Sequence, residues 1–411
     1  MRGLTVALAL TLALSASPAT ADTVPSLPEP TGRQPVGTTS LYLKDTSRPD
    51  PWVPSVNSRE LMVSLFYPAI WSHGPKTQYM TPAESAALLA DSGIPDVQPD
   101  LLSTTRTHSV RNAWPAGRPR SLPLVVLSPG YRKPRATLSS LAEDLASHGY
   151  VVAVVDHTHE SVGTSFPDGR VEGCASCDLP HDLAFWQKLE QGRAADVSFV
   201  LDALLSWPHA KWLGAYLIDP SRIGMAGHSV GGASTLPTMV NDSRIKAGID
   251  LDGDTDIPLL APGLSRPFMF LSHQLTPIPC QPGVNTPWER DWQQLTGWKR
   301  WLEVAGTVHA SFTDIGLFAD QLGLDIGAST TAERTQAISR PSRADPSPVR
   351  AAARGGPAGA AVGPGARRRA TTIPAVRPVQ GVAIRRDART APVGAHRRFG
   401  GAHGRLGRRR A

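Results

Sequence analysis

"GMAGHSVGG", Gly224 to Gly232, sets a single hydroxyl, Ser229, among glycines. Such a stretch is either a loose surface turn or a bend too sharp for ordinary side chains, and its flanks decide which. Upstream, "RIGMA" (Arg222–Ala226) reads as a strand ending at Gly227. Downstream, a helix can start at Ser229 and run through "GGASTLPTMV". A serine on a sharp strand-to-helix turn is held in a strained backbone conformation with its hydroxyl clear of the sheet edge. Gly227 and Gly231 then lack side chains so that neighbouring backbone can pass closely. The pattern G-x-S-x-G in this setting is a nucleophile elbow. The helix start points N–H groups and the positive dipole end at the same place, so the N–H of Val230 is a candidate oxyanion donor.

The surrounding chain supplies the sheet that such an elbow needs. "RELMVSLFYPA" (Arg59–Ala69), "LPLVVLSPGY" (Leu122–Tyr131), "VVAVVDHTHE" (Val151–Glu160), "KAGIDLDGD" (Lys246–Asp254), "RPFMFLSH" (Arg266–His273) and "RWLEVAGTVH" (Arg300–His309) read as strands. "TLSSLAEDLASHGY" (Thr137–Tyr150) and "LAFWQKLEQGRAADVSFVLDALL" (Leu183–Leu205) read as amphipathic helices between them. Strands that are apolar throughout, alternating with helices, imply an α/β fold whose mostly parallel sheet is covered on both faces. One such domain is expected over residues 41–340, after a Pro/Ser/Thr/Gly-rich linker at 22–40.

A serine hydroxyl needs a base, and the base needs an orienting carboxylate. In this architecture the chain order is serine, acid, histidine. Asp250, Asp252 and Asp254 cluster at a strand end, and alternation puts all three on one side, so parity does not choose among them. Asp252, immediately before Gly253 where chain leaves sheet, is favoured; the other two read as solvated loop acids. For the base, His309 in "GTVHASF" follows the last strand, with His273 at the end of "FMFLSH" as runner-up. His228 reads as packing. His157 and His159 are expected to line the mouth of the site. The second oxyanion donor is expected in the loop "LSPGYRK", at the N–H of Tyr131. No cofactor and no metal are called for.

With these residues in place the chain resembles the plasma-type platelet-activating-factor acetylhydrolases and the related bacterial secreted lipases, which are α/β-hydrolases. "RELMVSLFYP", "LVVLSPGY", "DLASHGYVVAVVDH", "GHSVGG", "GIDLDGD" and "GTVHASFTD" carry the resemblance in order, from about Arg59 to Ile315. It implies Ser229 as nucleophile, Asp252 as acid, His309 as base, and Tyr131 and Val230 as oxyanion donors. The loop that is often S-H-G in relatives is Ser128-Pro129-Gly130 here, and Gly253-Asp254 follows the acid. Both departures alter the pocket lining. The expected activity is lipase or esterase hydrolysis of acyl esters of lipids or small ester substrates. Alternatives are a 2-acetyl phospholipid hydrolase, an acyltransferase or polyester hydrolase, and a non-catalytic binding protein on the same scaffold.

The two ends differ from this body. Residues 1–21 carry one Arg, a short apolar run and Ala19-Thr20-Ala21, a pattern that reads as a cleaved signal peptide and places the mature protein outside the cell, starting near Asp22. From Pro341 to Ala411 there are 16 Arg, no Lys and two acids, Asp345 and Asp387. With +14 in this tail and +7 overall, the first 340 residues carry −7. A Pro/Gly/Ala/Arg segment with almost no large apolar residues is expected to be disordered. A frameshift in a GC-rich gene accounts for its composition best, an inert extension next, and a basic arm for anionic partners last. No nucleic-acid partner and no transmembrane segment are expected. Of Cys174, Cys177 and Cys280, two are expected to form a disulfide, and the sequence leaves open which. Oligomeric state, acyl-chain length and any lid are also left open.

Overall fold

Leu124–Leu127 and Val151–Val155 are apolar at every position because both faces of the strands that carry them are covered. In the computed structural model, which describes residues 24–94, 97–206, 208–274, 286–339 and 376–378, alternate side chains of these strands enter two different cores. Leu124, Val126, Val151 and Ala153 pack with Val197, Val200 and Leu201 on one face. Val125, Leu127, Val152 and Val154 pack with Leu138, Ala142 and Leu145 on the other.

In chain order the strands are β1 (Val36–Asp45), β2 (Arg59–Pro68), β3 (Val110–Arg111), β4 (Leu122–Ser128), β5 (Val151–Asp156), β6 (Thr164–Ser165), β7 (Val171–Glu172), β8 (Ile218–His228), β9 (Ile245–Leu251), β10 (Phe268–His273), β11 (Lys299–Val304) and β12 (Val376–Pro378). The helices are α1 (Pro82–Asp91), α2 (Ser139–Ser147), α3 (Leu183–Leu205), α4 (Val230–Ala233), α5 (Thr235–Asn241), α6 (Pro287–Gln294), α7 (Asp314–Gln321) and α8 (Ala332–Ser339). One sheet runs β12-β11-β10-β9-β8-β4-β5-β2-β1-β3, with β6 and β7 pairing apart from it. The six strands from β11 to β5 are parallel, and β2 joins them antiparallel. This is the mostly parallel, doubly covered sheet of an α/β-hydrolase.

Two boundaries differ from expectation. The segment read as a linker up to residue 40 already contains half of β1, whose full length pairs with β2. The strand is legible only through that partner, since its own outer positions are polar. At the far end, β12 pairs antiparallel with β11 inside the segment read as disordered. The remainder of that tail, Cys280 and the leader lie outside the described residues.

Beneath the carboxyl end of the sheet lies a buried ionic network. Arg59 donates through Nη1 to Asp50 Oδ2 (2.8 Å) and through Nη2 to Asp196 Oδ2 (2.8 Å). His157 Nδ1 reaches the same Asp196 oxygen at 2.8 Å. Arg193 donates through Nε to Glu160 Oε2 (2.7 Å), which also receives Trp52 Nε1–H on its other oxygen (2.8 Å). Burial alone would push Asp196 up, but the Arg59 charge and the donors of His157 and Arg59 hold its carboxyl well below the usual range.

Removing one partner from such a network leaves an uncompensated buried charge. Arg59→Met is therefore expected to cost about 3–5 kcal/mol in urea denaturation. Arg244→Ala, at a partly exposed pair with Asp242, is expected to cost about 1 kcal/mol or less.

Candidate active site

Ser229 sits where β8 gives way to α4, with φ 56° and ψ −131°. A non-glycine residue in the left-handed region persists only where its surroundings over-determine it. Here they do. A Cβ on Gly227 would lie 2.2 Å from the carbonyl of Gly231, and one on Gly231 would lie 2.1 Å from the carbonyl oxygen of Ser128. The elbow is thus pressed against its own strand and against the end of β4. The Ser229 N–H donates to the Leu251 carbonyl at 2.8 Å, which ties the turn to β9. The Ser229 hydroxyl makes no capping bond to α4, so the helix does not consume it.

The same contact sets α4 against the loop after β4. The N–H of Val230 and that of Tyr131 donate to no backbone carbonyl among the described residues. Arg193 pins this loop by donating through Nη1 to the Pro129 carbonyl (2.5 Å) and to Ser128 Oγ (3.2 Å). The Tyr131 ring stands among His181, Phe185 and Trp186, and its hydroxyl is 3.1 Å from Ser176 Oγ.

Asp252 follows β9 at φ 65° and is buried. It is reached by two imidazoles. His309 Nδ1 donates to Oδ2 at 2.6 Å. His273 Nδ1 lies 2.7 Å from each carboxylate oxygen, and the His273 backbone N–H donates to Oδ1 at 2.9 Å. Burial works against the charge on Asp252, but hydrogen bonds from His273 and His309 hold its carboxyl below the usual carboxylate range. In return, the bond to Asp252 raises the His273 pKa above its ordinary value.

His309 opens a 3-10 turn, His309–Phe312, just beyond β11. Its ring packs on His228 at 4.4 Å between centroids, and His228 Nε2 donates to the His309 carbonyl at 2.9 Å. His228 is packing, as read from the sequence, and it specifically seats His309. Burial, and then the nearby His309, push the His228 pKa down to about 3. Ser229, Val230, Asp252, His273 and His309 all face one cavity of about 580 Å³, whose other walls include Trp186, Trp288 and Trp301. Among the described residues no hydrogen bond joins Ser229 Oγ to His309, a contact that in ligand-free hydrolases commonly tightens when substrate arrives.

Three sequence expectations change. His157 does not line the mouth: it is buried, with Nε2 2.9 Å from Ser128 Oγ. Nor does His159, whose Nδ1 lies 2.9 Å from Asp50 and which faces a separate cavity. Asp250 is no solvated acid: it is buried under the elbow, accepts from the Gly253 N–H at 2.9 Å, and burial raises its pKa far above the carboxylate range. Asp254 is exposed as expected. The second imidazole on Asp252 was missed, although adjacent parallel strands whose ends carry Asp252 and His273 hinted at it. The disulfide joins Cys174 to Cys177.

Fold and elbow together define an α/β-hydrolase. The family model described as platelet-activating factor acetylhydrolase, isoform II, matches residues 26–172 and 178–338. A probable 1-alkyl-2-acetylglycerophosphocholine esterase of Arthroderma benhamiae is 33% identical over 333 residues, covering 74% of this chain and 81% of its own. The dog platelet-activating factor acetylhydrolase is 24% identical over 221 residues, about half of each chain (47% and 48%). Among solved structures, a ferulic acid esterase from Streptomyces cinnamoneus superposes with a TM-score of 0.73 at 38% identity, covering 87% of this chain and 100% of that one. The chain belongs to the platelet-activating factor acetylhydrolase isoform II family and is a carboxylic ester hydrolase.

Gly231→Ala is expected to lower ester turnover at least 100-fold, with a visible loss of folded yield by circular dichroism, because the elbow can no longer seat against Ser128. The buried neutral His228 also sets a pH dependence. The unfolded chain binds its proton near 6.5, the folded chain only near 3. Its contribution is therefore complete above 6.5 and is lost as pH falls toward 3, on the order of 1 kcal/mol per pH unit. His228→Gln, which keeps a donor for the His309 carbonyl, is expected to flatten the fall in urea midpoint between pH 6 and 4.

Proposed function

We propose that the protein is an exported serine ester hydrolase that cleaves acyl esters of lipids through Ser229, His309 and Asp252. The observation that carries this reading is the 2.6 Å bond from His309 Nδ1 to Asp252 in a cavity that also holds Ser229 on its strained elbow. Ser229 Oγ attacks the ester carbonyl while His309 Nε2 takes its proton. The N–H groups of Tyr131 and Val230 receive the oxyanion, each such donor being worth about 3–4 kcal/mol of barrier. The alcohol leaves with the proton from His309, and water repeats the sequence to release the acid. Asp252 holds the imidazole in the Nδ1–H tautomer and offsets its charge.

Export rests on the leader at residues 1–21, with processing before Asp22. Among the described residues no helix is long and apolar enough to cross a membrane. A narrower reading, hydrolysis of 2-acetyl phospholipids, is favoured by the names of the relatives. A second reading, esters of aromatic acids, draws on the three tryptophans of the cavity and on the solved esterase with which the chain superposes. A third reading, polyester hydrolysis, draws on a cutinase of Thermobifida cellulosilytica that is 29% identical over 127 residues, 31% of this chain and 38% of its own.

The test is a hydrolysis series on the mature protein: acetyl, butyryl and long-chain esters, triglyceride emulsion, a 2-acetyl phospholipid and ethyl ferulate. Turnover is expected on lipid esters, and Ser229→Ala is expected to reduce it on the order of 10⁶-fold. A Ser229→Ala protein within tenfold of the parent would refute the nucleophile.

A further inference from the structure

Two imidazoles share one carboxylate, and only one of them is needed to orient a general base. His273 ends β10 and His309 follows β11, a parallel neighbour. A ring nitrogen of each imidazole and a carboxylate oxygen of Asp252 lie within 4.8 Å of one another. The cluster is anchored on its carboxylate side and open on its imidazole side. The Asp252 side chain is 4% exposed, those of His273 and His309 32% and 52%. All three line the same cavity, which holds Asp254 as a further negative group. His228 takes no part, because its Nε2 is committed to the His309 carbonyl. Two imidazole nitrogens and one carboxylate oxygen suit a borderline transition cation rather than magnesium or calcium, which prefer oxygen ligands.

We propose that Asp252, His273 and His309 form a Zn²⁺ site that switches the esterase off. The switching rests on the triad read above; the binding does not. The nitrogens now lie in hydrogen-bond contact with the carboxylate at 2.6–2.7 Å. An ion with arms of about 2.0–2.1 Å needs tetrahedral donors about 3.3 Å apart, so the imidazoles swing slightly outward into the open cavity. The ion replaces the proton on each Nδ1. A neutral ring takes a proton back from water at Nε2, with no net release, and a doubly protonated ring gives one proton to solvent. Cavity water fills the fourth position. With Nδ1 on the metal and a hydrogen on Nε2, His309 has no lone pair for the Ser229 proton. The ion thus stops catalysis without touching the serine.

The test pairs calorimetric titration of ZnCl₂ with activity measured over the same range. The mature protein carries Cys280→Ser so that the third cysteine does not contribute. His273→Asn places an amide nitrogen where Nδ1 stands, keeping donation to Asp252 but removing a metal ligand. The parent is expected to bind one Zn²⁺ with a Kd on the order of 1–10 μM. Its activity should fall along the same curve, return with chelator, and not respond to MgCl₂. His273→Asn is expected to weaken binding and inhibition together by about 30-fold or more. No binding by the parent at 100 μM, equal binding by His273→Asn, or binding without loss of activity would each overturn the proposal. Ser229→Ala separates the two readings: it should bind Zn²⁺ as the parent does, and its residual activity tests the triad alone.

Discussion

The approach of the Gly231 backbone to the Ser128 carbonyl is the contact on which the site depends. It leaves no room for a Cβ, and so it brings the first turn of α4 against the loop that follows β4. Each side of that contact is separately fastened. On the elbow side, the Ser229 N–H is bonded to the Leu251 carbonyl of β9. On the loop side, Arg193 reaches up from α3 to the Pro129 carbonyl and Ser128 Oγ. Arg193 is in turn held by Glu160, which also receives Trp52. Buried charges are costly unless fully partnered, and here their partners are the groups that fix the height of the loop from Ser128 to Tyr131. The ionic network is better understood as positioning backbone than as adding stability.

Three acids within five residues at the end of β9 have three different electrostatic fates. Asp250 lies under the elbow, where burial drives it toward the neutral form. Asp252 is nearly as buried, yet two histidine donors keep it charged. Asp254 stands exposed, and what burial it has, together with the charge of Asp252, raises its pKa. One negative charge is thus concentrated between His273 and His309, while the neighbour beneath the elbow is driven toward the neutral form.

Much of this was legible because it depends on local pattern. The runs of β4 and β5 read as buried strands because no position in them tolerates water, and α3 reads from its apolar stripe to the same bounds, Leu183–Leu205. Ser229, Asp252 and His309 were picked out from chain order, from their places at strand ends and from the family resemblance, and the structure brings all three to one cavity. What was illegible depends on partners distant in sequence. β1 is a strand through pairing with β2, and β12 through pairing with β11. His157 looked like a mouth residue because strand ends usually are, but Asp196, 39 residues on, draws it into the core. The burial of Asp250 follows from the path of α4 over it, which no spacing reveals.

The bridge between Cys174 and Cys177 closes a ring of only four residues. A ring that small removes little freedom from the unfolded chain, about 2 kcal/mol on the loop-entropy account. Its effect is local. It brackets Ser176, whose hydroxyl meets that of Tyr131, and Cys174 Sγ itself lies 3.8 Å from the Tyr131 hydroxyl. Reduction would therefore leave the sheet and its helices standing and slacken the packing around Tyr131. The bond acts less as a staple of the fold than as a set-screw on a single side chain.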